Sequence, residues 1–303
     1  MIVLNLVSSW FRRKNLLLLD LGNCFIRATL FKIRGNNALI EEERSFKIDG
    51  YYNGRTKDKK LFIEQVRAGL YDLELPQDII IGIDSSHLTY KCFQFDQKNE
   101  RIEILSKIEA DQDKKIIHSS FDRDRACVLL INKPILNELA AAFSEAGISV
   151  SKFVAIKAFA QGSGLRTVVD IGYKTTNTAI FHANFLLSYR TTEIGMERIL
   201  LSIAEKFSIS LEDARMAIQQ TELFERENTK WLAAKENYMN KRHLSTFTRI
   251  YLEAFLKKVL GQQDLQNVFL TGWAKKISGI TNILENTSYL NPSQKTEMIM
   301  RMF

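Results

Sequence analysis

The sequence predicts an α/β protein of two lobes with a small α/β insertion in the first lobe. The main observation is a pair of similar strand-turn-strand segments about 150 residues apart: the first strand of one ends in Asp20 and Gly22, that of the other in Asp170 and Gly172. In both segments an apolar run precedes the turn, and a second apolar-rich run follows it. A second observation is the alternation of predicted strands and helices along the chain, which is typical of α/β folds.

The first lobe is predicted over residues 1–84 and 149–167. Its predicted strands, in chain order, are 16–21, 25–31, 40–48 and 78–83. The segment 60–71 has apolar residues at helical spacing, and a second helix over 151–162 is expected to lead into the other lobe. The continuous apolar run at 78–83 predicts a strand that is buried on both faces.

The insertion is predicted over residues 85–148. The segment 88–95 alternates in polarity and 126–131 is apolar, so both are expected to be strands. Residues 102–110 and 136–146 are expected to be helices, and Gly147 is a typical residue to end the second of them.

The second lobe is predicted over residues 168–303. Its strands are expected at 168–172, 177–181, 185–191 and 267–272, and its helices at 197–207, 211–220 and 247–260. Gly195 precedes the first helix, and the segment Ser210 to Asp213 has the pattern of a capping box for the second. Residues 222–249 are rich in charge and lack glycine and proline, so a peripheral helical part is expected at about 215–247.

Composition limits the classes of function. The content of 46% hydrophobic residues allows a large core, and the net charge of +7 is spread among 35 acidic residues without a recognised nucleic-acid-binding motif. We therefore expect no nucleic acid partner. Cys24, Cys92 and Cys127 are far apart and odd in number, which indicates neither a disulfide framework nor a zinc site. This cysteine usage favours a reducing cytoplasm as the location, and no apolar run is long enough to span a membrane.

The two turns have the chemistry of phosphate-binding hairpins. A glycine lets its backbone approach a phosphate because it has no Cβ atom, and neighbouring amides and hydroxyls supply further donors. The sequence therefore predicts that Asp20 and Asp170 face each other across one polyanion.

The series of segments resembles the actin-like ATPase superfamily. Within it the chain is most similar to the FtsA and PilM group, and more to PilM, which serves type IV pilus assembly. The resemblance rests on segments that follow the PilM order, namely 10–14, 79–86, 109–110, 146–148, 168–172, 192–197 and 203–214. It implies a two-lobed actin-like, ribonuclease H-like fold, in which the insertion at 85–148 corresponds to the subdomain that is characteristic of FtsA and PilM.

The resemblance also implies a site for ATP and magnesium. The residues that match the nucleotide-binding motifs are Asp20, Gly22, Asn23, Asp170, Gly172, Lys174, Thr175, Thr176, Gly195, Thr271, Gly272 and Trp273, with Asp20 and Asp170 as the metal ligands. Some positions depart from the family pattern: Met196, Tyr173 and Trp273 stand where glycines are usual. We identify no residue that would activate water, so the expected activity is at most a weak ATPase, and nucleotide binding itself could have been lost.

By the same resemblance, the expected partner is the short cytoplasmic tail of a membrane-anchored pilus or secretion protein, docked beside the insertion. The chain would then work at the inner face of the cell membrane, and the apolar and basic residues 1–14 offer a peripheral membrane contact. Two alternatives stay open. The run from Leu17 to Asn23 also resembles the start of a type III pantothenate kinase, and self-association into an FtsA-like cell-division filament is the other.

Overall fold

The structure is a computed structural model of the chain. It describes residues 14–34, 37–52, 54–83, 87–95, 103, 106–108, 113–155, 164–220, 231–234, 237–260, 268–277, 280 and 287–289. The chain divides into two compact units. Unit 1 comprises Met1–Ser163, Ala183–Leu187 and Asn291–Phe303, and unit 2 comprises Gly164–His182 and Ser188–Leu290.

The strands and helices are numbered in chain order. The strands are β1 (Lys14–Leu21), β2 (Phe25–Arg34), β3 (Asn37–Lys47), β4 (Tyr51–Tyr52), β5 (Arg55–Thr56), β6 (Asp78–Ile83), β7 (Thr89–Gln94), β8 (Lys114–Asp122), β9 (Arg125–Asn132), β10 (Lys152–Val154), β11 (Leu165–Ile171), β12 (Thr176–His182), β13 (Phe185–Thr192), β14 (Trp231–Ala234), β15 (Asn237–Asn240), β16 (Val268–Gly272) and β17 (Thr287–Tyr289). The helices are α1 (Lys59–Gly69), α2 (Lys133–Glu145), α3 (Met196–Phe207), α4 (Leu211–Gln220) and α5 (Lys241–Leu260).

The two units contain five-stranded sheets of the same design. The order in unit 1 is β10-β6-β1-β2-β3, and the order in unit 2 is β17-β16-β11-β12-β13. In each sheet the central strand pairs antiparallel with the strand that follows it and parallel with a later strand, β6 or β16. The duplication that the two turn segments predict therefore extends to the whole sheet.

Each five-stranded sheet contributes buried residues to the hydrophobic core of its own unit. The leucines of β1 and the isoleucines of β6 are almost fully buried, as the continuous apolar runs predict. In unit 1, Phe62 of α1 packs against Tyr51 and meets Phe143 of α2 edge-on, with ring centroids 5.5 Å apart. In unit 2, α3, α4 and α5 bury their apolar faces together with β11 and β16. Hydrophobic burial thus fixes the strands that carry the predicted turns.

The insertion contains a three-stranded sheet of order β7-β9-β8, followed by α2. The sequence predicted β7, β9 and α2 but missed β8, because the polar residues His118, Ser119 and Ser120 give that strand no apolar alternation. Residues 103 and 106–108 are helical, in agreement with the short helix expected there, and the rest of that segment lies outside the described residues.

Cys92 and Cys127 form a disulfide in this sheet, with their Cα atoms 4.1 Å apart. The expectation that no disulfide would form was therefore wrong for this pair. The two cysteines are 35 residues apart in sequence, and only the antiparallel register of β7 and β9 makes them direct neighbours.

Two helical predictions were wrong in part. Residues 152–154 form strand β10 at the edge of the unit 1 sheet, and residues 156–162 of the predicted connecting helix lie outside the described residues. In the segment expected to be helical at about 215–247, β14 and β15 form an antiparallel hairpin before α5 begins at Lys241. Pairing with a neighbouring strand stabilises both segments, and single-residue patterns do not report such pairing.

Local signals at helix ends were confirmed. The amide of Asp213 donates to the Ser210 hydroxyl over 3.1 Å, as the capping box predicts. The same hydroxyl donates to the Asp213 carboxylate over 2.6 Å. Gly147 follows α2 with a φ of +86°, the conformation that favours glycine. In the described part of the chain, the helices are too short or too polar to pass through a lipid bilayer.

Candidate functional site

The first predicted phosphate turn connects β1 to β2 in unit 1. Asp20 is half-buried near the end of β1, opposite Arg27 of β2 and Gly82 of β6. The Gly22 amide donates to the Phe25 carbonyl oxygen over 2.9 Å, and a Cβ atom on Gly22 would lie 2.9 Å from the same oxygen. Gly22 therefore closes the turn with its own amide, and the half-buried Asn23 occupies the bend.

The second turn, between β11 and β12 in unit 2, repeats this geometry. Asp170 is half-buried and lies opposite Asn177 of β12 and Thr271 of β16. The Gly172 amide donates to the Thr175 carbonyl oxygen over 2.8 Å, and a Cβ atom at this position would lie 2.7 Å from that oxygen. Both glycines are required by the tightness of the turn, whatever the turn binds.

The second turn is also bonded to the start of α3. The amides of Met196 and Glu197 donate to the carbonyl oxygens of Gly172 and Tyr173 over 3.0 and 2.8 Å. These two amides of the helix N-terminus are therefore satisfied by the turn itself. A Cβ atom on Gly195 would come within 2.4 Å of the Tyr173 carbonyl oxygen, so only glycine fits between turn and helix.

The two threonines of this turn are buried. The Thr176 hydroxyl donates to the Ile194 carbonyl oxygen over 2.8 Å, which uses its only hydrogen. Its predicted role as a phosphate donor is thereby replaced by a structural one, because it holds the segment before Gly195 against the turn. Thr175 contributes the carbonyl that accepts from Gly172, and its side chain is almost fully buried.

The segment Thr271-Gly272 lies beside Asp170. Gly272 has a φ of +70°, and a Cβ atom there would lie 2.8 Å from the Asp170 Oδ1 atom and 2.4 Å from the Ile171 carbonyl oxygen. The end of β16 can therefore approach the carboxylate only because residue 272 is glycine. Trp273 begins a short 3-10 turn over Trp273–Lys276, and the placement of its side chain lies outside what the structure describes.

An open cleft of about 340 Å³ lies next to the second turn. Its lining residues are Lys174, Glu193, Ile194, Gly195, Glu197, Arg198 and Leu201. The Lys174 ammonium is 4.0 Å from the Glu197 carboxylate. Two cations and two carboxylates thus share the cleft, and they leave it without a strong net charge.

The structure brings together the unit 2 members of the predicted site. Asp170, Gly172, Gly195 and Gly272 all approach the same turn through backbone contacts. Asp20, Gly22 and Asn23 belong to unit 1, so their approach to these residues stays a prediction. In the described part of the chain there is no cluster of three or more His, Cys, Asp or Glu side chains that could hold a metal ion.

Sequence reasoning missed the charged lining of the cleft. Glu193, Glu197 and Arg198 flank Gly195 in the sequence, and their distance of two or three residues from that glycine was a usable signal. Their relevance depends on α3 starting directly at the turn.

Comparison with known proteins gives the fold. No protein-family model matches the chain, and no curated protein matches it in sequence. The solved PilM-PilN type IV pilus biogenesis complex matches with a TM-score of 0.63 at 14% identity, over 92% of this chain and 89% of that chain. The ethanolamine utilization protein EutJ from Carboxydothermus hydrogenoformans matches with a TM-score of 0.60 at 15% identity, over 99% and 96%.

MreB5 of Spiroplasma citri, solved with bound AMPPNP, matches with a TM-score of 0.55 at 10% identity, over 95% of this chain and 94% of that chain. The chain has the actin-like ATPase fold. The expected actin-like fold and the expected α/β class are both confirmed. In this actin-like chain, the two Asp-Gly turns occupy equivalent places in two sheets of the same strand order.

Proposed function

We propose that this protein is an actin-like scaffold of a membrane-associated assembly, of the type IV pilus or type II secretion kind, that binds an adenine nucleotide. The observation that carries the nucleotide part is the backbone cradle of unit 2. Gly195 and Gly272 come so close to the turn after Asp170 that neither position accepts a side chain. Bare backbone beside a strand-end carboxylate is suited to a phosphate chain with its magnesium ion.

The residues present fit magnesium-ATP in part. Lys174 supplies a cation at the cleft beside the second turn, and Asp170 lies at the strand end where a metal ligand is needed. Asp20 is the matching carboxylate of unit 1. The bound magnesium would neutralise phosphate charge. The Thr176 hydroxyl is not available to the phosphates, because it donates to Ile194. We therefore expect weak nucleotide binding.

Slow or absent hydrolysis is part of the proposal. Hydrolysis needs a positioned water molecule and a group to orient it. The carboxylates at the cleft are Glu193 and Glu197, and Glu197 faces the Lys174 ammonium. This pairing directs Glu197 toward a cation rather than toward a water molecule.

The assembly part of the proposal rests on likeness of fold and on the insertion. The PilM structure that resembles this chain was solved in a complex for type IV pilus biogenesis. Strand β7 is an edge strand of the insertion sheet, and Thr89, Lys91 and Gln94 on it are exposed. Such an edge can pair with an extended peptide. We propose that it binds the cytoplasmic tail of a membrane-anchored partner at the inner face of the cell membrane.

Nucleotide binding is tested by calorimetric titration of the full chain with magnesium-ATP. We expect Asp170→Ala and Asp20→Ala each to weaken binding by at least about tenfold, because each removes one metal ligand. Asp49→Ala is the control, since that exposed carboxylate pairs with Lys47. Affinity in the two test variants equal to that of the control would remove the proposed nucleotide site.

The two alternative functions, a pantothenate kinase and a filament-forming protein, differ in what they produce from ATP. Labelled ATP with pantothenate would yield phosphopantothenate if the chain were a kinase, and light scattering would rise with nucleotide if it formed filaments. We expect neither result. Partner docking is tested by capture of the chain on the immobilised cytoplasmic tail of a membrane-anchored pilus or secretion protein. Substitution of exposed β7 residues, such as Lys91→Pro, should abolish capture, because proline removes a strand donor.

A further inference from the structure

The insertion sheet contains a row of three polar or sulfur-bearing residues, one on each strand. Cys92 of β7 lies directly opposite Cys127 of β9, and Cys127 lies directly opposite Ser120 of β8. Residues that are directly opposite in an antiparallel sheet project on the same face. The disulfide between Cys92 and Cys127 therefore lies on the face that carries Ser120.

The segment Ala183–Leu187, which belongs to unit 1, is bonded to this face. The Leu186 amide donates to the Ser120 hydroxyl over 3.1 Å. The Tyr90 hydroxyl, two residues before Cys92, lies 2.6 Å from the Leu187 carbonyl oxygen and 3.0 Å from the Cys127 sulfur. Strands β7 and β8 thus both bind the segment, and Tyr90 contacts both the segment and the disulfide.

The two sulfurs differ in access. Cys127 is fully buried, whereas Cys92 is exposed on the edge strand. Thiol-disulfide exchange requires that the attacking thiolate reach a sulfur of the other molecule, so access decides which cysteine reacts with a dissolved reagent. Only Cys92 satisfies this condition, while Cys127 is placed to react with Cys92 alone.

We propose that Cys92 and Cys127 form a reversible thiol-disulfide site that exchanges with a low-molecular-weight disulfide such as oxidised glutathione. In the reduced protein the Cys92 thiolate attacks one glutathione sulfur, which forms a mixed disulfide and releases one glutathione thiolate. The Cys127 thiolate then attacks the Cys92 sulfur and releases the second glutathione. Two protein thiols lose two protons and two electrons, and one oxidised glutathione becomes two reduced molecules. The reverse sequence opens the bond.

The redox state of Cys92 and Cys127 should be detectable at the neighbouring segment Ala183–Leu187. Reduction removes the covalent link between β7 and β9, so that β7 loses its strongest attachment to the rest of the sheet. Because Tyr90 on β7 is hydrogen-bonded to the segment Ala183–Leu187, a looser β7 weakens the hold on that segment. The Leu186 amide should therefore exchange with solvent faster in the reduced protein than in the oxidised one.

The test uses the full chain with Cys24→Ser in every sample, so that only the pair reacts. Reduced protein is incubated with oxidised glutathione and analysed by mass spectrometry of the intact chain and of its peptides. We expect the parent to form the internal disulfide and Cys127→Ser to accumulate one glutathione on Cys92. Cys92→Ser should carry at least about tenfold less adduct, because the remaining sulfur is buried. Cys127→Ala serves as a second variant at the buried position, and circular dichroism confirms that each variant is folded.

Two results overturn the proposal. One is a Cys92→Ser protein that gains adduct as fast as Cys127→Ser, and the other is a folded parent that forms no internal disulfide. Hydrogen exchange gives the independent readout. The oxidised parent should protect Leu186 several-fold more than the reduced parent. Tyr90→Phe should abolish that difference without preventing the disulfide. A difference that survives in Tyr90→Phe would show that Tyr90 is not the link. None of these results depends on nucleotide binding.

Discussion

The turn after Asp20 in unit 1 and the turn after Asp170 in unit 2 have the same internal geometry but different supports. In both, a glycine amide donates to the carbonyl three residues later, over 2.9 and 2.8 Å. In unit 1 the Ile48 amide, just past β3, donates to the Cys24 carbonyl over 2.8 Å. In unit 2 the equivalent tie is made by a side chain, since Thr176 donates to the Ile194 carbonyl.

The helices that follow are placed differently. In unit 2 the helix α3 begins at once after Gly195 and bonds to the turn. In unit 1 the short strands β4 and β5 separate Gly50 from α1, and Gly50 packs against Asp58 and Phe62 at the start of that helix. The comparison teaches that one duplicated design yields one turn bonded to the start of α3 and one turn whose helix, α1, follows only after the short strands β4 and β5.

The largest expected effect concerns the two glycines at these helix starts. Gly195→Ala would put a Cβ atom 2.4 Å from the Tyr173 carbonyl oxygen, and Gly50→Ala would put one 2.5 Å from the Asp58 carbonyl oxygen. All these neighbours are backbone atoms and cannot move cheaply. We expect each change to lower the free energy of unfolding by about 3 kcal/mol, measured by urea denaturation.

Gly147→Ala is the matched control, because a Cβ atom there has nothing within 4 Å and only the positive φ opposes it. Its expected loss is about 1 kcal/mol. If Gly195→Ala were no more harmful than this control, the close contact between turn and α3 would be incorrect.

The second prediction concerns the pH dependence of stability, to which His118 of unit 1 contributes. Burial lowers the pKa of His118 in the insertion of unit 1 to about 4, with a further contribution from the positive charge of Lys152. The unfolded chain, with a histidine pKa near 6.5, then binds the proton more readily than the folded chain. Stability is therefore full above pH 6.5 and decreases as the pH falls toward 4, by up to about 3 kcal/mol.

Urea unfolding between about pH 7 and pH 4 measures this loss. His118→Gln should flatten the pH dependence in this range, while His182→Gln, at an exposed position of unit 2, should leave it unchanged. An unchanged slope in His118→Gln would contradict the assignment.

The third prediction concerns the side-chain tie of unit 2. Thr176→Val keeps the shape but removes the donor to the Ile194 carbonyl, so we expect a loss of about 1–2 kcal/mol. Unit 1 has the apolar Ile26 at the corresponding position, opposite Leu21 as Thr176 is opposite Ile171. Thr89→Val, at an exposed position of β7, is the control in the same denaturation experiment and should stay within about 0.5 kcal/mol of the parent.

The smallest expected effect is on nucleotide affinity at the cleft of unit 2. Glu197→Gln removes a carboxylate 4.0 Å from the Lys174 ammonium, and with it part of the negative charge that opposes a phosphate at the cleft. We expect ATP affinity to rise about threefold and Lys174→Met to lower it by a similar factor, because exposed charge pairs contribute little. Glu205→Gln, exposed on the same helix, should have no effect. Calorimetric titration measures all three, and a weaker affinity in Glu197→Gln would reverse the assigned role of that carboxylate.

Local sequence patterns predicted much of the architecture. The apolar runs before Asp20 and Asp170 predicted the central strands of both sheets, and the segment after Ser210 predicted its helix together with the cap. These features depend on residues that are adjacent in sequence, so the pattern contains the needed information. The candidate site residues of unit 2 came from the resemblance to actin-like proteins, and their role in nucleotide binding stays a prediction.

Other features depend on pairing between distant segments. Strand β8 and the hairpin of β14 and β15 have too little apolar alternation to be recognised alone. The Thr176 hydroxyl looked like a phosphate donor until the fold placed the Ile194 carbonyl 2.8 Å away. Sequence gives the residue types in such cases, but it does not give their neighbours.

The sequence by itself determined that two similar Asp-Gly turns, each after a buried strand, would organise an α/β chain, since hydrophobic period and turn chemistry act over a few residues. The tertiary structure alone decided that Cys92 meets Cys127, that Gly195 is pressed against the Tyr173 carbonyl, and that Gly272 lies beside Asp170. The physical reason is that these contacts join segments far apart in sequence, which only the packing of whole sheets and helices brings together. A shift of one residue between β7 and β9, for example, would turn Cys92 to the face opposite Cys127.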